Sequence, residues 1–200
     1  MIKKPLIVFD IGNVLLWFSL TQAKRNFDRL QTGTGDLVVK TLWDSPDALP
    51  FETGHRTGRD MFRLFEKKVD FSYTQFCRAL EDIFDPIAEN LTLLDQLSQS
   101  HPTAILSNIN PIHWAYLMKN YPVLKKVRWP IASWKVGYLK PDKKIYEILM
   151  KRTGFSAENI VYADDRLELV ETARAMGIRA VRFTGRIPLI ELFAREGVTL

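Results

Sequence analysis

Asp10, Ser107, Lys140 and the pair Asp164-Asp165 are the residues of this chain whose types could do chemistry together. Each lies in a short distinctive segment: Phe9-Asp10-Ile11-Gly12-Asn13-Val14-Leu15, Ile105-Leu106-Ser107-Asn108, Gly137-Tyr138-Leu139-Lys140-Pro141 and Val161-Tyr162-Ala163-Asp164-Asp165. A carboxylate, a hydroxyl, an ammonium and a carboxylate pair are the parts needed to hold Mg2+ and transfer a phosphoryl group. Asp10 would be the nucleophile, attacking phosphorus to form an acyl phosphate. Ser107 would hydrogen-bond a non-bridging phosphoryl oxygen, and Asn108 a second polar group of the substrate. The Lys140 ammonium would offset charge on the nucleophile and on the transferring group. Asp164 and Asp165 repel each other unless a hard cation intervenes. One can bind that cation directly while the other holds a metal-bound water or Lys140. Each residue also has a plainer reading: Asp10 as a turn residue, Ser107 and the Asp pair as helix caps, Lys140 as a surface lysine. Their joint occurrence, in this order, favours the site.

These residues need a scaffold, and the chain supplies one. Leu6-Ile7-Val8-Phe9 reads as a buried strand ending at Asp10, Thr103 to Leu106 as a second ending at Ser107, and Asn159 to Ala163 as one ending at the Asp pair. Val127 to Ser133 reads as a further strand that Pro130 confines to a margin, and Arg179 to Phe183 as a short last strand. Helices are expected over about Pro111–Asn120, Pro141–Thr153, Leu167–Met176 (closed by Gly177) and Pro188–Glu196. Strand and helix alternate through this half, which predicts an α/β fold with a parallel, doubly wound sheet. Ligands of such sheets bind outside the carboxyl ends of the strands, where Asp10, Ser107 and Asp164-Asp165 all fall. From Leu20 to about Ser100 the periodicity is helical, with breakers at Gly33-Thr34-Gly35, Pro50, Gly54, Gly58 and Asp85-Pro86. That stretch reads as a bundle of short helices inserted after the first strand.

The chain has 200 residues and a net charge of +5, with basic residues scattered rather than gathered into a stripe or arm. Neither nucleic acid nor a membrane is expected as a partner: there is no basic block with aromatics to stack bases, and no run of about 20 apolar residues. The start Met1-Ile2-Lys3-Lys4-Pro5 lacks the cleavage site of a signal peptide. Cys77 is the single cysteine, read as a small buried hydrophobe on a helix, and no internal disulfide is possible, which fits a cytoplasmic setting.

The four segments together resemble the haloacid dehalogenase superfamily of hydrolases, most of which are phosphatases. Asp10 matches the nucleophile of its first motif, Ser107 the second, Lys140 the third and Asp164-Asp165 the acidic fourth. The first segment is especially similar to a subgroup of bacterial sugar-phosphate phosphatases resembling the α-glucose-1-phosphate phosphatase and related to the phosphatase half of soluble epoxide hydrolase. Glu171-Thr172-Ala173-Arg174-Ala175-Met176-Gly177 matches as well, so the likeness spans essentially the whole chain. The resemblance implies a Rossmann-like catalytic core from residues 1–15 and 90–200, with a helical cap from 16–89. It implies that Mg2+ is ligated by Asp10, Asp165 and the backbone carbonyl of Gly12, with Asp164 one step behind the ion. The implied activity is Mg2+-dependent hydrolysis of a small phosphorylated metabolite, such as a sugar phosphate, by a monomer or homodimer.

Two departures stand out. Most phosphatases of the superfamily carry a second Asp two residues after the nucleophile, which protonates the leaving alcohol. Here that position is Gly12, and general acid–base help is worth roughly 10²–10⁴-fold. The expectation is therefore a slow enzyme, one that uses a water or a cap residue instead, or one that prefers good leaving groups; the resembled subgroup has the same Gly, so the change does not by itself imply a dead enzyme. His55 in the cap is one candidate, although an exposed loop histidine is its plainer reading. Arg56 and Arg59 are candidates for substrate contact against simple surface placement. Leu169 stands where relatives often have Asn. Two alternatives follow. A 2-haloacid dehalogenase would use Asp10 against carbon without a metal, but two uncompensated acids would repel its carboxylate substrate. A regulatory binding protein would keep the fold without turnover, for which Gly12 is the motive.

Overall fold

The computed structural model describes residues 4–200; the first three residues of the expected amino-terminal core segment lie outside it. The chain forms β1 (Leu6–Phe9), β2 (Leu16–Phe18), α1 (Leu20–Leu30), α2 (Thr34–Trp43), α3 (Ala48–Glu52), α4 (Gly58–Arg63) and α5 (Tyr73–Glu81). There follow β3 (Phe84–Pro86), α6 (Ala88–Ser100), β4 (Thr103–Ser107), α7 (Pro111–Asn120), β5 (Trp129–Ala132) and α8 (Ser133–Val136). The last elements are α9 (Lys143–Thr153), β6 (Ile160–Asp164), α10 (Leu167–Ala175), β7 (Arg179–Arg182) and α11 (Leu189–Arg195).

Five strands make one parallel sheet in the order β5-β4-β1-β6-β7. β1 is buried throughout and alternates its side chains between two cores. Ile7 and Phe9 join α6, α7 and α11 on one face, while Leu6 and Val8 join α9 and α10 on the other. Fully burying such a side chain contributes about 1.5–3 kcal/mol, so both faces of the central strand fix its register and thereby the position of Asp10. The chain builds outward from β1 to β4 and β5, then crosses to β6 and β7. β1 is thus the point where strand order reverses, and the crevice there lies outside the carboxyl ends of its two neighbours, β4 and β6. β5 is one of the two edge strands, as Pro130 requires.

The insert after β1 has its own aromatic core. Phe27, Phe51, Phe62, Phe65, Phe71 and Phe76 are buried there, joined by Val38, Met61 and Leu80. Its short helices start on side-chain caps: Ser19 accepts from the Gln22 N–H, and Thr57 with Asp60 and Ser72 with Gln75 form capping boxes. The expectation of helices alone is corrected by an antiparallel pair at the base, Leu16↔Pro86 through Phe18↔Phe84. Three-residue strands are too short to leave a period in the sequence, and Pro86 disguises one of them. The ninth helix begins at Lys143 rather than Pro141, because the Asp142 carboxylate caps it by accepting from the Lys144 N–H at 2.9 Å. α8, a single turn closed by Gly137 in the left-handed region (φ 80°), was not anticipated.

Candidate active site

Asp10 leaves β1 at the sheet's upper edge, its own N–H still bonded to the Ala163 carbonyl of β6 at 3.0 Å. Ser107 is the last residue of β4 and Asp164 the last of β6. Parallel pairing of β1 with both neighbours therefore brings the three strand ends to one place. Lys140 arrives from the loop after α8 and is buried, with 2% of its surface exposed. Its ammonium donates to Asp164 Oδ2 at 2.6 Å and to the Tyr162 hydroxyl at 2.9 Å, and stands 3.1 Å from Asp10 Oδ1. Tyr162 Oη also donates to Asp164 Oδ2 in a short hydrogen bond. The other oxygen of Asp164 accepts the Arg166 N–H at 3.0 Å.

Asp10, Asp164 and Asp165 each present a carboxylate oxygen, and these lie within 4.8 Å of one another. Burial pushes the Asp10 carboxyl up to about 6; Lys140 and Ser107 draw it back, while Asp164 adds to the rise. Burial also raises Asp165. Burial pulls the Lys140 ammonium down, but the charges of Asp10 and Asp164 more than offset this and leave it above the ordinary lysine value. Asp10 Oδ1 is sealed from solvent and has no aligned hydrogen-bond donor among the described residues. A buried anionic oxygen whose only close cation is the Lys140 ammonium at 3.1 Å, beside two more carboxylates, is an oxygen-rich setting that fits a hard divalent cation. The oxygens of Asp164 are already engaged by Lys140, Tyr162 and Arg166, so the open acidic positions belong to Asp10 and Asp165.

Asn108, expected to meet substrate, is turned to the protein: its Oδ1 accepts the Lys140 N–H and its Nδ2 donates to the Lys140 carbonyl, both at 2.8 Å. It clamps the backbone of the lysine loop while still bordering the cleft. Asn13, inside the first motif, has a role that its sequence position alone does not reveal. Its Nδ2 donates to Asp165 Oδ2 at 3.0 Å, and its Oδ1 accepts the Phe18 N–H of β2 at 3.2 Å. It does so from the left-handed region (φ 54°), which Asn tolerates better than most residues. That Gly12-Asn13 follows a strand was the available signal; which carboxylate the amide would meet was not.

The cleft over these groups has a volume of about 270 Å³. Its far wall is aromatic. His113 on α7 stacks on Trp43 of the insert (6.1 Å between ring centres, 24°) and meets Phe84 edge-on at 5.0 Å, with Phe18 beside them. Burial pulls the His113 imidazole down to about 3, so it is neutral. Nothing in the sequence singled out these four rings, which are scattered along the chain and read individually as core.

A family profile described as haloacid dehalogenase-like hydrolase matches residues 4–177. The chain belongs to that family. Among curated relatives, the sesquiterpene phosphatase astK of Aspergillus oryzae is 24% identical over 182 residues, 88% of each protein. The drimenol cyclase drtB of Aspergillus calidoustus is 25% identical over 190 residues, 88% of this chain; the chain spans only 33% of that relative's length. Among solved structures, a haloacid dehalogenase family enzyme from Bacteroides thetaiotaomicron, in complex with magnesium and inorganic phosphate, superposes with a TM-score of 0.82 at 22% identity, covering 95% of this chain and 99% of that one.

The remaining candidates of this hydrolase are not part of the acidic cluster. His55 is exposed and pairs through Nδ1 with the Thr53 hydroxyl at 2.9 Å, beside a second groove that Lys140 also borders. Arg56 is ion-paired with Asp47, and Arg59 lies over the Tyr73 ring at 4.0 Å. Leu169 is buried and borders the cleft. Cys77 is half-buried on α5. Among the described residues, no helix is long and apolar enough to cross a membrane.

Proposed function

We propose that this hydrolase is a Mg2+-dependent phosphatase that works through an aspartyl phosphate on Asp10. The observation that carries the reading is the gathering of three carboxylates within 4.8 Å at the strand-order reversal, with a buried lysine against them. Asp10, Asp165 and the Gly12 carbonyl would hold the ion, which supplies positive charge that keeps the carboxylates ionised and withdraws charge from the phosphoryl group. Asp164 holds Lys140 in place, and Asn108 fixes the lysine's backbone. Ser107, 2% exposed at the end of β4, offers its hydroxyl to a phosphoryl oxygen.

The alcohol half of the substrate would lie against Phe18, Trp43, Phe84 and His113. A neutral aromatic wall favours an apolar carbon skeleton over a heavily hydroxylated one. The phosphatase among the curated relatives carries a sesquiterpene in its name, which agrees with that chemistry. The sugar-phosphate subgroup that the first motif resembles keeps glucose 1-phosphate as the competing substrate. A cation between the carboxylates would also disfavour the dehalogenase alternative, which needs no metal.

The test is a panel of phosphate monoesters, including glucose 1-phosphate and farnesyl phosphate, assayed with Mg2+ and with EDTA. Phosphate release should require Mg2+, favour the prenyl ester, and fall by more than about 10³-fold in Asp10→Asn. Undiminished release in Asp10→Asn, or in EDTA, would overturn the mechanism.

A further inference from the structure

We propose that Glu52, at the end of α3 in the insert, is the general acid and base of the reaction, taking the part that Gly12 cannot play. This inference rests on the phosphatase reading above and deepens it. The titratable groups bordering the cleft, among the described residues, are Asp10, Glu52, His113, Lys140, Asp165 and Arg166. Asp10 is the attacking group, and Asp165 is tied to Asn13 within the acidic cluster. The Lys140 ammonium is held charged by two carboxylates, and the Arg166 guanidinium does not give up a proton near neutral pH. His113 is a neutral imidazole packed into the aromatic wall, with Nδ1 2.9 Å from the Asn110 amide. Glu52 remains. No hydrogen bond engages its carboxyl among the described residues. Burial raises that carboxyl above the ordinary glutamate value, and Arg166, the charged group facing it, draws it back only in part.

The backbone holds Glu52 at the cleft by contacts between insert and core. Fully buried Ser133 donates from Oγ to the Glu52 carbonyl at 2.7 Å and accepts the Ile109 N–H at 2.9 Å. One hydroxyl therefore ties the end of α3 to the loop that follows β4 and Ser107. Two residues on, Gly54 lies so close to α8 that a Cβ there would fall 2.0 Å from the Trp134 carbonyl oxygen. The acid is in place when the insert is seated on the core.

In the first half-reaction Asp10 bonds phosphorus. The ester P–O bond breaks with its electron pair on the alcohol oxygen, which takes the Glu52 proton. The products are the alcohol, aspartyl phosphate and the Glu52 carboxylate. In the second half-reaction that carboxylate takes a proton from water as the water oxygen bonds phosphorus. The P–O bond to Asp10 breaks, returning the Asp10 carboxylate, orthophosphate and protonated Glu52.

The experiment compares wild type, Glu52→Gln and Glu52→Asp on p-nitrophenyl phosphate and on an alkyl phosphate, with saturating Mg2+. Glu52→Gln should lower alkyl phosphate turnover by about 10²–10⁴-fold, yet change single-turnover release of p-nitrophenol, a good leaving group, by less than about 10-fold. Phosphorylated Asp10 should then accumulate, trapped by acid quench, because its hydrolysis lacks a base. Glu52→Asp should fall between wild type and Glu52→Gln. Equal loss on both esters, or no loss on either, would overturn the role of Glu52 and leave the phosphatase reading standing. Absence of phosphate release from any ester by wild type would instead remove that reading, and this one with it.

Discussion

At the scale of single residues, Asn13 joins two things the chain must keep in step. Its amide holds Asp165 on one side and the first strand of the insert on the other. A carboxylate freed from such a partner can rotate away from a cation, and loss of groups that orient metal ligands typically weakens affinity 10–100-fold. Asn13→Gly keeps the left-handed backbone without strain and deletes both contacts. We expect Mg2+ affinity, measured by calorimetry, to fall by about that factor while the circular dichroism spectrum is unchanged. Unaltered affinity would mean that Asp165 is oriented by something else. Asp10, Ser107 and the Asp pair were legible as candidates because unusual polar residues end apolar runs, and Lys140 because it completes the set as a lone cation before Pro141. Asn13 and Glu52 were not, because an amide in a turn and an acid on a short helix are ordinary by composition; only their neighbours distinguish them.

Elements decide how the insert meets the core. β1, β4 and β6 announce themselves as apolar runs, and α10 by its Gly177 terminator (φ 85°). The β2–β3 pair and α8 do not, being three or four residues long with no period to detect. Yet α8 is where the end of α3 meets the core. Gly54 has φ 77° and its α-carbon faces the Trp134 carbonyl, so a methyl group would be strained twice, by conformation and by collision with backbone that cannot swing aside. Gly54→Ala should push the end of α3 off α8. Overpacking of this kind costs about 1–3 kcal/mol, and the accompanying loss of turnover should exceed what that destabilisation explains at a temperature where the variant remains folded. Wild-type kcat in Gly54→Ala would show that seating of this segment is not needed for the chemistry.

For the whole molecule, three carboxylates and one lysine are packed where burial, with a smaller part from the Asp164 charge, raises two of the carboxyls, so a cation bound there would favour their ionised forms. A ligand that binds only the folded state stabilises it by about 2.7 kcal/mol at 100 times its Kd. Mg2+ should therefore raise the Tm of wild type, and Asp10→Ala or Asp165→Ala should abolish the rise; a Tm indifferent to Mg2+ would argue against a cation there. By itself the sequence determined the α/β class, the parallel sheet, the insertion after β1 and the acidic, hydroxyl and ammonium groups. Each of these is written locally, in period, in punctuation and in the residue that closes a run. Tertiary structure alone decided that Asn108 serves the lysine loop, that Asn13 serves Asp165, that four dispersed rings form one wall, and that Glu52 rather than His55 borders the cleft. Those are contacts between segments dozens of residues apart, set by how the two faces of β1 and the seam at Ser133 pack, and no local pattern encodes them.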